Sequence, residues 1–365
     1  MTPNRFDHLL TLVGPLIQKE TTRFREPISA PQRLALTLRF LATGESQQSL
    51  SFSYRMGKTT VSKIVSETSS AIYKALKIPY LKSPSSKKEW LGIASGFEET
   101  WIFPHCLGAI DGKHIRIECP SMSGTYYYNY KGFYSIILLA ICDSNYCFTL
   151  FDLGHYGSNN DSGVLANSDM KEVFEKQNMG IPEASKYMTC DFEPLPYFLV
   201  GDEIFPLKTW LMRPYPGTLD KEQRIFNYRL SRARRTIENA FGILCARWRI
   251  FYKPIRGKVE NVESYVLACL ALHNYLRLVD TASYCPIGFI DSYDSTGKLK
   301  EGEWRGLTTR SEGMLPINRV KGSRYSNDAV EMRNSLRRFV NSENGSVEWQ
   351  DDYVTRTTYN RIENL

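Results

Sequence analysis

Between residues 106 and 153 the chain runs in four short apolar or alternating stretches parted by Gly, Asp and Asn. They cover 106–110, 114–118, 134–142 and 147–153, while the residues on either side repeat at three- and four-residue steps. Period-2 patterning suits strands and a period near 3.6 suits helices, so this chain must build a sheet and cover it with helices. A further apolar run at 197–200 predicts another strand, and helices are expected at 169–176, 218–248 and 262–276. Strands first, then a strand followed by long helices, predict an α/β fold with a mixed sheet.

Three acids stand at positions where such a fold can gather them. Asp111 closes the run 106–110 at an Asp-Gly pair, Asp202 follows the run 197–201, and Glu238 lies in the Arg-rich helix pattern. Each has a plain structural role available. Asp-Gly is a common turn pair, and so is a carboxylate capping the end of a strand. Glu238 has Arg234 and Arg235 at helical spacing for surface ion pairs, each contributing a few tenths of a kcal/mol. Taken together the balance shifts. Two carboxylates about 4 Å apart at an effective dielectric near 20 repel by roughly 4 kcal/mol, a cost that a fold keeps only if a cation offsets it. Hard divalent ions, Mg²⁺ or Mn²⁺ and two of them, take oxygen ligands and serve phosphoryl transfer. Glu203, beside Asp202, is a second candidate at that corner.

Charge supports an anionic partner. The chain carries a net +7, and 213–256 holds eleven Lys/Arg against three acids, an excess suited to a phosphate backbone. Residues 1–80 read as helical. There Ser29, Pro31 and Gln32 open one helix, Gly44 ends it, a short helix follows from about Gln47, and a third starts at Lys58 after Gly57. That outline fits a helix-turn-helix as well as a plain helical bundle. Arg55, Lys58, Thr59, Thr60 and Lys63 are its candidate DNA contacts. Residues 81–104 read as a linker with a short helix, 105–280 as the catalytic unit, 281–325 as a flexible segment, and 326–365 as a last helix and tail. The eight cysteines include no Cys-x-x-Cys pair and read as reduced, buried thiols of an intracellular protein. The apolar stretch 9–17 is too short to span a bilayer, so no membrane partner is expected.

Several ordered motifs resemble the PIF/Harbinger group of DDE transposases, which includes the Harbinger transposase-derived nucleases and the antagonist of like heterochromatin proteins of plants. They are Gly108-Ala-Ile-Asp-Gly-Lys-His114, Asn129-Tyr-Lys-Gly-Phe133 and Val200-Gly-Asp-Glu-Ile-Phe-Pro-Leu207, then Met212-Arg-Pro-Tyr-Pro-Gly217, Phe226-Asn-Tyr-Arg-Leu-Ser-Arg-Ala-Arg-Arg235 and Glu238-Asn-Ala-Phe-Gly242. The resemblance implies an RNase H-like DDE core behind a helix-turn-helix, with Asp111, Asp202 and Glu238 as the metal-binding catalytic triad. It also implies Mg²⁺- or Mn²⁺-dependent cleavage and joining of double-stranded DNA at transposon ends. Lys113, Arg234 and Arg235 are expected to hold DNA phosphates. A Myb-like accessory protein, a nuclear location and a homo-oligomer on DNA belong to the same expectation. The competing readings are a domesticated, non-catalytic DNA- or chromatin-binding protein on the same scaffold, and a metal nuclease acting on RNA or damaged DNA.

Overall fold

The computed structural model describes residues 1–21, 26–159, 161–177, 179–185, 194–309, 311–317 and 325–352. Helices α1 (Pro3–Ile17), α2 (Ala30–Thr43), α3 (Gln47–Ser53), α4 (Lys58–Tyr80) and α5 (Lys87–Trp101) lead into strands β1 (Cys106–Arg116), β2 (Ser135–Cys142) and β3 (Phe148–Tyr156). Short helices α6 (Asp161–Ala166) and α7 (Asp169–Glu175) precede β4 (Phe198–Val200) and β5 (Leu211–Met212). The long helices α8 (Lys221–Arg247) and α9 (Val259–Val279) follow. After them come α10 (Thr281–Tyr284), β6 (Ser292–Tyr293), β7 (Leu299–Lys300), α11 (Trp304–Thr308), β8 (Met314–Pro316) and α12 (Asn327–Val340).

The sheet runs β3-β2-β1-β4-β5, with β8 also on β1. The first three strands are antiparallel, and β4 and β5 run parallel to β1 and to each other. The fold is thus a mixed α/β layer structure, as expected. Alternation, with a register shift between Cys106 and Gly108, divides the side chains of β1. Ala109 and Ile115 enter the core shared with α8 and α9, whereas Leu107 and Ile110 enter the opposite core with Trp90, Val164 and Phe174. Helices therefore cover both faces.

Three local expectations need correction. The stretches 106–110 and 114–118 are one strand, because Asp111 and Gly112 pair with Ala140 and Leu139 and make no turn. Gly112 is there for space: a Cβ would sit 1.8 Å from Ile317 Cδ1. The helix expected from Thr218 starts instead at Lys221. Asp220 caps it by accepting from the Gln223 amide at 2.8 Å, while the Gln223 side chain accepts from the Asp220 amide, a reciprocal box that Thr218 cannot form. The stretch 281–325, expected to be flexible, holds five short elements among its described residues, of which β8 pairs with β1 and α11 packs on α8.

The N-terminal helices join the same core. Leu9, Val13, Leu41, Ile64 and Ile72 share one apolar cluster with Val262, Val266 and Leu270 of α9. Ser66 donates to Asn261 at 2.8 Å, and Asn274 donates to the Tyr80 carbonyl at 2.9 Å. Helices α2, α3 and α4 pack on one another, leaving Arg55, Lys58, Thr59 and Lys63 exposed and Thr60 half-buried.

Candidate active site

Strand register brings the two aspartates together. Ala109 pairs with Val200 across the parallel strands β1 and β4, so Asp111 stands two residues further along β1 and Asp202 two residues past the end of β4. Parallel neighbours lie about 4.8 Å apart. Asp111 and Lys113 share the face of β1 that α8 crosses. The residues Arg234, Glu238, Phe241, Gly242 and Cys245 recur at helical spacing on the α8 face that looks back at them. All seven, together with Asp202, line one cavity of about 470 Å³, whose other wall is Trp304, Arg305, Thr308, Ser311, Met314 and Pro316.

Electrostatics in the cavity are tightly coupled. Lys113 Nζ lies 2.7 Å from Asp111 Oδ2, and the Arg234 guanidinium pairs with Glu238 four residues on. The Lys113 ammonium also sits 5.4 Å over the Phe241 ring. Burial first, and the charge of Asp111 second, push the Asp202 carboxyl up to about 6; the Ile204 amide, Arg234 and Lys113 act in the opposite sense. Glu238, Asp111 and Asp202 together hold Arg234 above its ordinary range despite its burial. Of the two ion pairs anticipated for Glu238, the one with Arg234 forms, while Arg235 lies near Asp291 instead.

Among the described residues, no three Asp, Glu, His or Cys side chains stand ready to hold one ion. Lys113 pairs with Asp111 and Arg234 with Glu238. The donor set still suits a hard divalent cation, since three carboxylates face one cavity and Asp202 carries a like-charge cost that a cation would relieve.

Other anticipated residues fall elsewhere. Arg235 points away from the cavity, donating to the Tyr293 hydroxyl at 2.8 Å, with Asp291 3.7 Å away. Glu203 is exposed and lines none of the cavity. His114, on the opposite face of β1, is fully buried against the Ser135 hydroxyl at 3.0 Å. Arg55, Lys58, Thr59, Thr60 and Lys63 lie on the α3–α4 surface, outside this cavity.

Trp304 and Arg305 had no signal in periodicity, yet their partners explain the motif 238–242. The Asn239 side-chain oxygen accepts from Trp304 Nε1 at 2.7 Å, and Gly242 leaves room for the indole ring. A Cβ at Gly242 would meet that ring at 2.4 Å. Gly242→Ala is therefore expected to displace Trp304 and destabilise the fold by about 1–3 kcal/mol, read as a lowered melting temperature. An unchanged melting temperature would show that the wall yields freely.

Residues 110–274 match the family model described as DDE superfamily endonuclease, a range that contains all three acids. The chain is 30% identical to Protein ALP1-like of Arabidopsis thaliana, over 74% of this chain and 67% of that protein. It is 28% identical to Antagonist of Like Heterochromatin Protein 1 of the same plant, over 77% and 73% of the two chains. HARBI1 of Homo sapiens is 25% identical over 73% of this chain and 72% of its own. No solved structure matches.

Proposed function

Because the chain belongs to the PIF/Harbinger-derived family and carries a DDE superfamily endonuclease domain, we propose that it cuts DNA by metal-dependent phosphoryl transfer. The observation that carries this reading is the convergence of Asp111, Asp202 and Glu238 on one cavity from two adjacent strands and a crossing helix. The strand order, with three antiparallel strands followed by two parallel ones and helices on both faces, supports an RNase H-like core.

Mg²⁺ or Mn²⁺ held by these three carboxylates would acidify a bound water and offset charge on the attacked phosphate. The chain's own groups supply the rest. Asp111 and Asp202 present their oxygens from strands whose register fixes the spacing. Lys113 and Arg234 offer positive charge to phosphate oxygens, Arg234 with a planar fork suited to two of them. Trp304 lines the wall opposite the acids. Joining of DNA ends, a homo-oligomer that pairs two ends, a Myb-like partner and a nuclear location extend the same proposal. So does the α3–α4 surface as a helix-turn-helix, with Arg55, Lys58, Thr59, Thr60 and Lys63 on DNA.

Supercoiled plasmid and candidate terminal repeats, titrated with Mg²⁺ and Mn²⁺, test the reading. Nicked and linear products that vanish with a chelator are expected. Because Asp202 must be ionised to bind a cation, nicking should rise with pH through about 6 as the proton ceases to compete. A rate independent of pH between 5 and 7 would remove Asp202 from the centre. One observation favours a second reading, a non-catalytic DNA- or chromatin-binding protein: Lys113 and Arg234 pair with Asp111 and Glu238. The name of one relative, which refers to heterochromatin, points the same way. That reading predicts salt-sensitive DNA binding with no cutting under any divalent ion.

A further inference from the structure

We propose that Lys113 and Arg234 are resident counter-ions of the acid cluster, which yield it to arriving divalent cations and turn to DNA phosphate, so that cation and DNA bind cooperatively. The inference rests on the reading of this cavity as a cation-dependent nuclease centre.

The charges of the cavity motivate it. Asp111, Asp202 and Glu238 face Lys113 and Arg234, while Arg305 on the far wall is engaged by Asp291 through Nε to Oδ1 at 3.0 Å. Three negative groups against two positive ones leave this wall near balance. A divalent cation among the acids turns that balance into a positive surplus, and a second one enlarges it. Relief comes when the two bases leave the carboxylates. Neither can go far, since Lys113 is anchored in the β1–β2 ladder and Arg234 within α8. Lys113 already has a second seat, the Phe241 ring face at 5.4 Å, where an ammonium is attracted without a carboxylate. The displaced charges still line the cavity, and the anion that DNA brings there is phosphate. Cation and base thus compete for the same acids, whereas cation and phosphate favour each other. Such coupling is reciprocal and typically amounts to about 5–150-fold.

Two titrations test it. Manganese binding without DNA is followed by electron paramagnetic resonance, and duplex binding by fluorescence anisotropy with and without Ca²⁺ at constant ionic strength. Lys113→Met, relieved of its internal competitor, should bind Mn²⁺ roughly tenfold more tightly than wild type. Ca²⁺ should raise the wild-type affinity for DNA about fivefold or more, and that gain should shrink in Lys113→Met and persist in Lys113→Arg. Ca²⁺ acting only as a DNA counter-ion would weaken binding, the opposite sign. Arg234→Met repeats the comparison from the helix, should the strand variant fold poorly. Equal or weaker Mn²⁺ binding by both Met variants, or an undiminished Ca²⁺ gain, overturns the proposal. Absence of Mn²⁺ binding by wild type and variants alike overturns the nuclease-centre reading instead.

Discussion

Asp202→Asn is expected to lose metal-dependent nicking by roughly a thousandfold, about 4 kcal/mol of transition-state stabilisation, and yet to melt at a higher temperature than wild type in metal-free buffer. The first effect follows from removing a charged ligand from the acid cluster. The second follows from its environment, because burial and the neighbouring Asp111 push the Asp202 carboxyl up to about 6. An acid with a raised pKa in the folded state binds its proton more tightly there than in the unfolded chain. Its contribution to stability is full below the unfolded value near 4 and is lost as pH rises through about 6. Asparagine carries no such cost. The stability gap between variant and wild type should therefore be widest at neutral pH, of order 2 kcal/mol, and should close towards pH 4. Thermal melts at pH 4, 5, 6 and 7 measure it. Manganese should raise the melting temperature of wild type, by mass action on the folded state, and leave the variant unmoved. Equal melting at pH 7, or nicking close to wild type, would deny Asp202 this place.

The second large effect is expected at Asp291, far from the acids in sequence and buried beneath the opposite wall. Its side chain accepts from Arg305 and from the Gly302 amide at 2.8 Å, with Arg235 3.7 Å away. Asp291→Ala leaves two partly buried guanidiniums facing each other without their shared anion. Removing one partner of such a cluster costs about 3 kcal/mol or more. Urea denaturation should show the shift in midpoint, and hydrogen exchange should show the stretch 289–308 opening before the sheet. DNA nicking should fall as well, because Trp304 and Arg305 are held by this hub. An unshifted midpoint would mean that Trp304 and its bond to Asn239 hold the wall alone.

Much of this arrangement was legible from residues. The short apolar runs in 134–142 and 147–153 became β2 and β3, the first buried along its whole length, because a sheet covered on both faces favours continuous apolar strands. The stripe through Phe226, Leu230, Ala233, Ile237 and Leu244 became the buried face of α8. The gathering of Asp111, Asp202 and Glu238 in one cavity was legible only from their joint contexts, since each acid alone had an adequate structural explanation. What escaped was set by contacts distant in sequence. Asp111-Gly112 reads as a turn until Ile317 is seen against the glycine. The wall of the cavity has no periodicity, because a handful of specific bonds hold it: Trp304 to Asn239, and Arg305 to Asp291.

The pairing of β8 with β1 joins residues 314–316 to residues 113–115, across about two hundred positions of chain. During synthesis the acids emerge and can fold long before the segment that encloses them, since chains fold from the N-terminus as they are made. A nascent chain halted anywhere before β8 would expose its carboxylates in an open trough. Only a chain made as far as β8 has both walls of the cavity in place.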